Sequence, residues 1–292
     1  MTESLENIIR SSFGVWRKNL NLGLPYLFNT IVNITLLLLY AVGVFMFLNP
    51  FKGVSFSAPN PLDVDWLVLF LDLGLLLFLI VLTAISSAFF NAGAIGMSYK
   101  AVDTGRCSLD DLTGYGVKRF FTLFLTNILI FVPLIIIAGI LALIQYIFPG
   151  EFVSILVFGA GIVLSMVPYA VVIGDLGPIR GIKAGYGLFK ENMFQTTLLY
   201  AFTYYFLLFS LYWVILVCMV ICSMGLFVIP MPQELTIQGL VASVMPSIWG
   251  IGIALLLAAI FYVLAETLVI LPITTVIWTT YYLSKIKHRR AV

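Results

Sequence analysis

The sequence predicts an all-α polytopic membrane protein, a six-helix transmembrane bundle with amphipathic elbow helices at the interface. Composition is the first observation behind this reading. Of 292 residues, 62% are hydrophobic and only 10% charged, and the mean hydropathy is +1.13. A soluble chain carries about 25% charged residues. The second is a recurrence of apolar runs long enough to cross hydrocarbon. The third is a charge asymmetry: of 15 Lys and Arg residues, only Lys52 falls in the connections expected outside.

The expected spans cover roughly 24–48, 66–98, 120–148, 152–176, 196–229 and 246–283. The connections at 49–65, 149–151 and 230–239 alternate with connections rich in Lys and Arg, such as Lys100, Arg106, Lys118, Arg119, Arg180, Lys183 and Lys190. Positive charge stays inside, so both termini are expected in the cytoplasm of a multi-pass cell-membrane protein. The first apolar run is too long for a signal-peptide core and lacks a cleavage pattern, so it is expected to stay as a span.

Spans two and six exceed the roughly 20 residues that a crossing requires. Tilt, a break or extension into the cytoplasm must absorb the excess. In span two, Ala88, Ala92 and Gly96 recur every four residues and present a smooth face suited to close helix packing. Pro133, Pro168 and Pro272 fall inside spans, where each is expected to kink or open its helix.

A phrase repeats across the chain. "SFGVWRKN", Ser12–Asn19, returns 173 positions later as "GYGLFKEN", Gly185–Asn192, with a weaker copy at Tyr115–Phe120. Each copy precedes an odd-numbered span. The chain therefore reads as one membrane domain, 1–292, with possible parallel repeat units 1–98, 99–176 and 177–284 and a basic tail, 285–292. The elbows are expected as short helices over 8–19, 109–119 and 179–192. In the first, Leu5, Ile8, Ile9, Ser12, Phe13 and Trp16 fall largely on one face suited to acyl chains, with Trp16 near the headgroups. Ser108 and Asp111 fit a capping box for the second, and Pro178 suits the first turn of the third. Gly14, Gly116 and Gly187 are expected to permit close approach to neighbouring spans. The elbow cations Arg17, Lys18, Lys118, Arg119, Lys183 and Lys190 are candidates for contact with lipid headgroups.

Polar groups inside spans are the other candidates. Glu266 and Asp72 are carboxylates at membrane depth with no base at a comparable level. Each must be neutral, hydrated or hydrogen-bonded, and serves either as a substrate or ion group or as a structural acid. Asp175 closes the fourth span and is placed to cap the next elbow or to pair with Arg180 or Lys183. Asn33 is a possible partner for a buried carboxylate, and Asn91 and Tyr169 suit hydrogen bonds between helices.

The chain holds 3 Cys and 1 His, which speaks against a histidine-based metal site or haem. No cofactor is expected, and the cysteines read as free thiols. Phosphate-loop, zinc-protease and serine-hydrolase motifs are absent, and no basic domain suits nucleic acid. The segments Gly96–Phe120 and Val171–Asn192 resemble a broad group of six-span prokaryotic membrane proteins of unknown function. That group is similar to the membrane domain of some glycerophosphodiester phosphodiesterases. The resemblance implies the fold and a loose proline turn before an amphipathic segment, here Pro178 through Asn192. It transfers no catalytic residue, since this chain has no attached phosphodiesterase domain. Three functions stay open: movement of a small solute or lipid, a scaffold for a membrane-protein partner, and a lipid-modifying enzyme near Asp175, Lys183 and Lys190. Membrane lipids are expected partners in each.

Overall fold

The computed structural model describes residues 4–48, 66–147, 150–227, 252, 255–256 and 258–291. The connections at 49–65 and 230–239, with the one outside cation Lys52, lie outside the described residues. Among the described residues the chain is helical, and five helical stretches are long and apolar enough to cross a membrane.

Helix α1, Leu5–Lys18, is capped by Ser4, whose hydroxyl accepts from the Asn7 N–H at 3.3 Å. A 3₁₀ turn, Leu20–Gly23, leads into α2, Leu24–Leu48. Helices α3, Trp66–Thr104, and α4, Leu109–Ile147, form an antiparallel hairpin. Each has 39 residues, about 58 Å at 1.5 Å per residue, against about 30 Å of hydrocarbon. The polar residues Lys100, Asp103, Arg106, Asp110, Asp111, Lys118 and Arg119 flank the hairpin loop, so that end holds the excess. The hairpin closes as the small-residue face predicted. Ala88 and Ala92 are fully buried, and a side chain at Gly93 or Gly96 would run into Leu112 or Tyr115. In lipid, where apolar burial gives helices little reason to associate, such close packing supplies the attraction.

The expected fourth span is two helices, α5, Phe152–Leu164, and α6, Val167–Val172. The break falls just before Pro168, whose missing N–H is tolerated in a first turn. Helix α7, Pro178–Glu191, folds back along α6. Gly181 and Gly185 lie against Val171 and Val167, and a Cβ at Gly185 would stand 2.7 Å from the Val167 Cα. Helix α8, Met193–Phe227, follows and carries no Asp, Glu, Lys or Arg. The chain ends in a π-helical turn, Glu266–Ile270, continued by α9, Leu271–Ala291. That turn immediately precedes Pro272, so two of the three span prolines sit at helix irregularities. Pro133 is carried within a continuous α4.

The first and third phrase copies build the same device. Both α1 and α7 have 14 residues and stop at an Asn C-cap, Asn19 and Asn192. Each Asn turns its amide back onto the carbonyl four residues earlier, Val15 at 3.0 Å and Leu188 at 3.1 Å. Arg17, Lys18 and Lys190 occupy the last turns, where the helix dipole favours cations. The second copy corrects the expectation of three separate elbows. Residues 109–119 are the start of α4 and run into the span without a break. Where the other copies carry Asn, this one has Phe121, which offers no amide to close the helix. The start is capped as expected on one side: the Asp111 carboxylate accepts from the Ser108 N–H at 2.9 Å.

Another correction concerns α1. Its face points into protein, since Ile8 and Ser12 are fully buried and Ser12 meets Thr280 of α9 at 3.3 Å. Trp16 packs on the same core. Gly14 faces open space, whereas Gly116 receives the Phe89 ring. The core itself, around Met166–Val172, Leu188, Leu199 and Ile273–Tyr282, lies at the elbow end of the bundle. Toward the other end, Ile128–Ile144 of α4 and Phe70–Val81 of α3 present many large apolar side chains outward, as lipid contact requires.

Candidate functional site

A chamber of about 320 Å³ opens among α2, α3, α4, the α5–α6 break, α8 and α9. Asn127 lies two turns beyond Arg119 on α4, about 12 Å deeper along the axis, and Asn91 is comparably deeper than Lys100 on α3. The chamber is therefore at hydrocarbon depth. Each helix supplies a polar group for a local reason. The α5–α6 break exposes Ser165, whose hydroxyl donates to the Ile162 carbonyl at 2.8 Å. Asn91 sits at the edge of the small-residue face, exposed while every residue of Ala92–Ser98 is buried.

The polar lining divides into two sets. Tyr26 and Thr275 hydrogen-bond each other, Tyr169 lies beside Thr275, and Thr275 donates to the Leu271 carbonyl at 3.0 Å. These groups tie α2, α6 and α9 together. The Asn91 and Asn127 amides, the Tyr200 hydroxyl and the Trp278 indole N–H make no hydrogen bond among the described residues, and all four line the chamber. Ile95, Leu123 and Pro168 complete the wall. Among the described residues no Asp, Glu, Lys, Arg or His lines it. Such a room can hold a neutral hydrogen-bonding group; a charged one would lose its hydration without a counter-ion.

Of the predicted polar residues, the structure brings Asn91 and Tyr169 into the chamber. Asn127 is a principal lining group as well. Tyr200, Trp278 and Thr275 were not foreseen. Their signal in the sequence is a single polar or amphipathic side chain per apolar helix, which cannot be told from an ordinary interhelical bond before the helices are assembled.

Glu266 opens the π-turn, half-buried, with Tyr262 one turn earlier close to its carboxylate. It is not part of the chamber wall. Asp72 and Asn33 sit on α3 and α2, and one side-chain oxygen of each is buried without a partner among the described residues. Asn33 lines a separate α2–α3 crevice with Tyr40 and Thr83.

Asp175 follows α6 with φ of 56°, in the left-handed region. Its partners are Arg119 and Lys118, the latter at 3.7 Å, not Arg180 or Lys183. The hairpin α6–α7 points Asp175 at α4 instead of along α7. Arg119 is thereby enclosed, its side chain only 11% exposed. Arg17, Lys18, Lys118, Lys183 and Lys190 remain exposed. At the loop before α4, Asn19 donates to Gly105 O at 3.2 Å and accepts from the Cys107 N–H at 3.1 Å, while Asn21 donates to Cys107 O at 2.8 Å. Burial pushes the Cys107 thiol up to about 11, opposed by its bond to Asn21 and reinforced by the charge of Asp111.

Among the described residues no group of His, Cys, Asp and Glu suits a metal ion. Searches of protein-family models, curated proteins and solved structures give no match to the chain.

Proposed function

We propose that this protein moves a small uncharged solute or lipid component across, or within, the membrane. The observation that carries the reading is the chamber at hydrocarbon depth, free of charged side chains among the described residues and lined by four uncommitted hydrogen-bonding groups. Packed membrane helices leave polar groups paired, because unpaired ones are costly in lipid. Four that converge on one space suit a guest that pairs with them in passing. Glu266 acts in this reading through the π-turn, since it stands outside the wall. In this reading helix α8 adds a crossing to the five long apolar stretches, and the basic residues at the elbow end support cytoplasmic termini. The matched elbows α1 and α7 support a parallel duplication, and the α7 turn from Pro178 to Asn192 keeps the likeness to the six-span prokaryotic families as part of the proposal.

The test compares wild type with N91L/N127L in liposomes, using stopped-flow uptake of a panel of neutral polyols, amides and alcohols. Wild type accelerates at least one member and the double variant loses most of that gain. Equal permeation in protein-free, wild-type and variant liposomes for the whole panel overturns the reading.

A scaffold role has one specific observation in its favour. Phe202, Tyr205, Phe209 and Tyr212 form an exposed stripe on α8, with Tyr205 and Tyr212 67% and 61% exposed. A hydroxyl facing hydrocarbon gains from a partner helix. Loss of a higher-mass species from nanodiscs on Y205F/Y212F supports that role, and an unchanged monomer opposes it.

A further inference from the structure

The chamber has a neighbour. An apolar groove of about 390 Å³ runs between α4 and α5 and shares Asn127, Ser165, Pro168 and Tyr200 with the chamber. The rest of its wall, including Phe131, Ile135, Leu156 and Ala160, is hydrocarbon. Along α4 it extends from Asn127 to Ala138, about 16 Å at helical rise. Phe131 and Ile135 are 56% and 68% exposed, so the groove faces outward, where acyl chains lie.

Two of its features are set by sequence. Gly161 lets the Tyr200 ring cross α5 closely, since a Cβ there would stand 2.1 Å from the Tyr200 hydroxyl. Tyr200 is thus held at the junction, its ring 5.5 Å from that of Phe158 and its hydroxyl unpaired among the described residues. Ala138 and Ala160 keep the groove open where larger residues would fill it. A polar room without charge joined to an apolar slot open to lipid has the form of one kind of molecule.

We propose that the joined chamber and groove bind a single-chain amphiphile with an uncharged, hydrogen-bonding head, such as a fatty alcohol or a monoacylglycerol. The head sits in the chamber on Asn91, Asn127, Tyr200 and Trp278, and the chain lies between α4 and α5. Carboxylate, phosphate and ammonium heads are rejected because none of the described wall residues carries a compensating charge. This names the substrate class of the transport reading and rests on it only for the cavity's use; binding itself is a separate matter.

The test is photocrosslinking of the full-length protein in nanodiscs with three diazirine probes of one chain length: a monoacylglycerol, a lysophosphatidylcholine and, at pH 9, a fatty acid anion. The neutral probe labels residues of α4 and α5, at least tenfold above the charged ones, and excess unlabelled monoacylglycerol competes. N127L and G161L, which remove the junction amide and displace Tyr200, each cut that labelling at least fivefold. N33L, in the separate α2–α3 crevice, leaves it unchanged and controls for general damage. Equal labelling by all three probes, or labelling indifferent to N127L and G161L alike in protein that keeps its wild-type melting profile, overturns the proposal. Selective labelling without any flux of the amphiphile sinks transport and leaves the binding site standing. Flux of a small polyol with no selective labelling does the reverse.

Discussion

The indole N–H of Trp16 donates to the main-chain carbonyl of Leu268 at 3.3 Å. Pro272 stands four residues after Leu268 and has no N–H to offer it. Gly23 sits against the same residue, where a Cβ would approach the Leu268 Cα to 2.9 Å. The first elbow thus plugs the irregularity that opens the last span, and the chain's two ends are joined at the π-turn that begins with Glu266.

That relationship predicts a coupled pair. Trp16→Phe leaves the half-buried Leu268 carbonyl without this donor, and costs about 1 kcal/mol. Pro272→Ala restores a main-chain N–H near Leu268, so W16F/P272A loses less than the sum of the single changes. Thermal unfolding in one detergent measures the cycle. Additive effects would mean that Trp16 contributes packing alone.

Two glycines from matched elbows should respond in opposite directions. A Cβ on Gly185 would stand 2.8 Å from the Val167 main-chain N, and main chain cannot step aside. Gly185→Ala destabilises by about 1–3 kcal/mol. Gly14 has open space and lies within α1, so Gly14→Ala raises stability by about 0.5–1 kcal/mol. Paired melting curves check both signs.

Cys107 should be a slow nucleophile. Burial first, and then the Asp111 charge, raise its thiol to about 11, so at pH 8 the thiolate fraction is on the order of 10² lower than for a free thiol of pKa about 8.5. The neutral thiol is the form the fold favours. Its contribution to stability is therefore complete below the unfolded value and is lost as pH rises toward 11. Maleimide labelling of C218S/C222S protein at pH 7–9 tests this. Rates matching an exposed peptide thiol in folded protein would contradict it.

Asp175 holds Arg119 against the bundle while exposed itself. Asp175→Asn tolerates the positive φ but loses the charge. It should cost about 1–2 kcal/mol, between a surface pair and a buried one. Arg119→Gln added to it should recover part of the loss. A recovery of zero would show that Arg119 needs no counter-ion.

Membrane crossing, helix punctuation and the positive end were legible in the sequence because each is local. Hydropathy follows from twenty adjacent side chains, and a cap from four. The matched elbows α1 and α7 could be read from their phrase for the same reason, and the missing Asn at Phe121 explains why α4 runs on. Which base meets Asp175 was not legible, because the α6–α7 turn decides it. Nor was the direction of the α1 face: an amphipathic stripe suits acyl chains and α9 equally well, and only assembly chose α9. The chamber depends most on tertiary structure. Asn91, Asn127, Tyr200 and Trp278 come from four helices, each with an ordinary reason to carry one polar group. Only their convergence, fixed by small residues that let the backbones close, makes them a site.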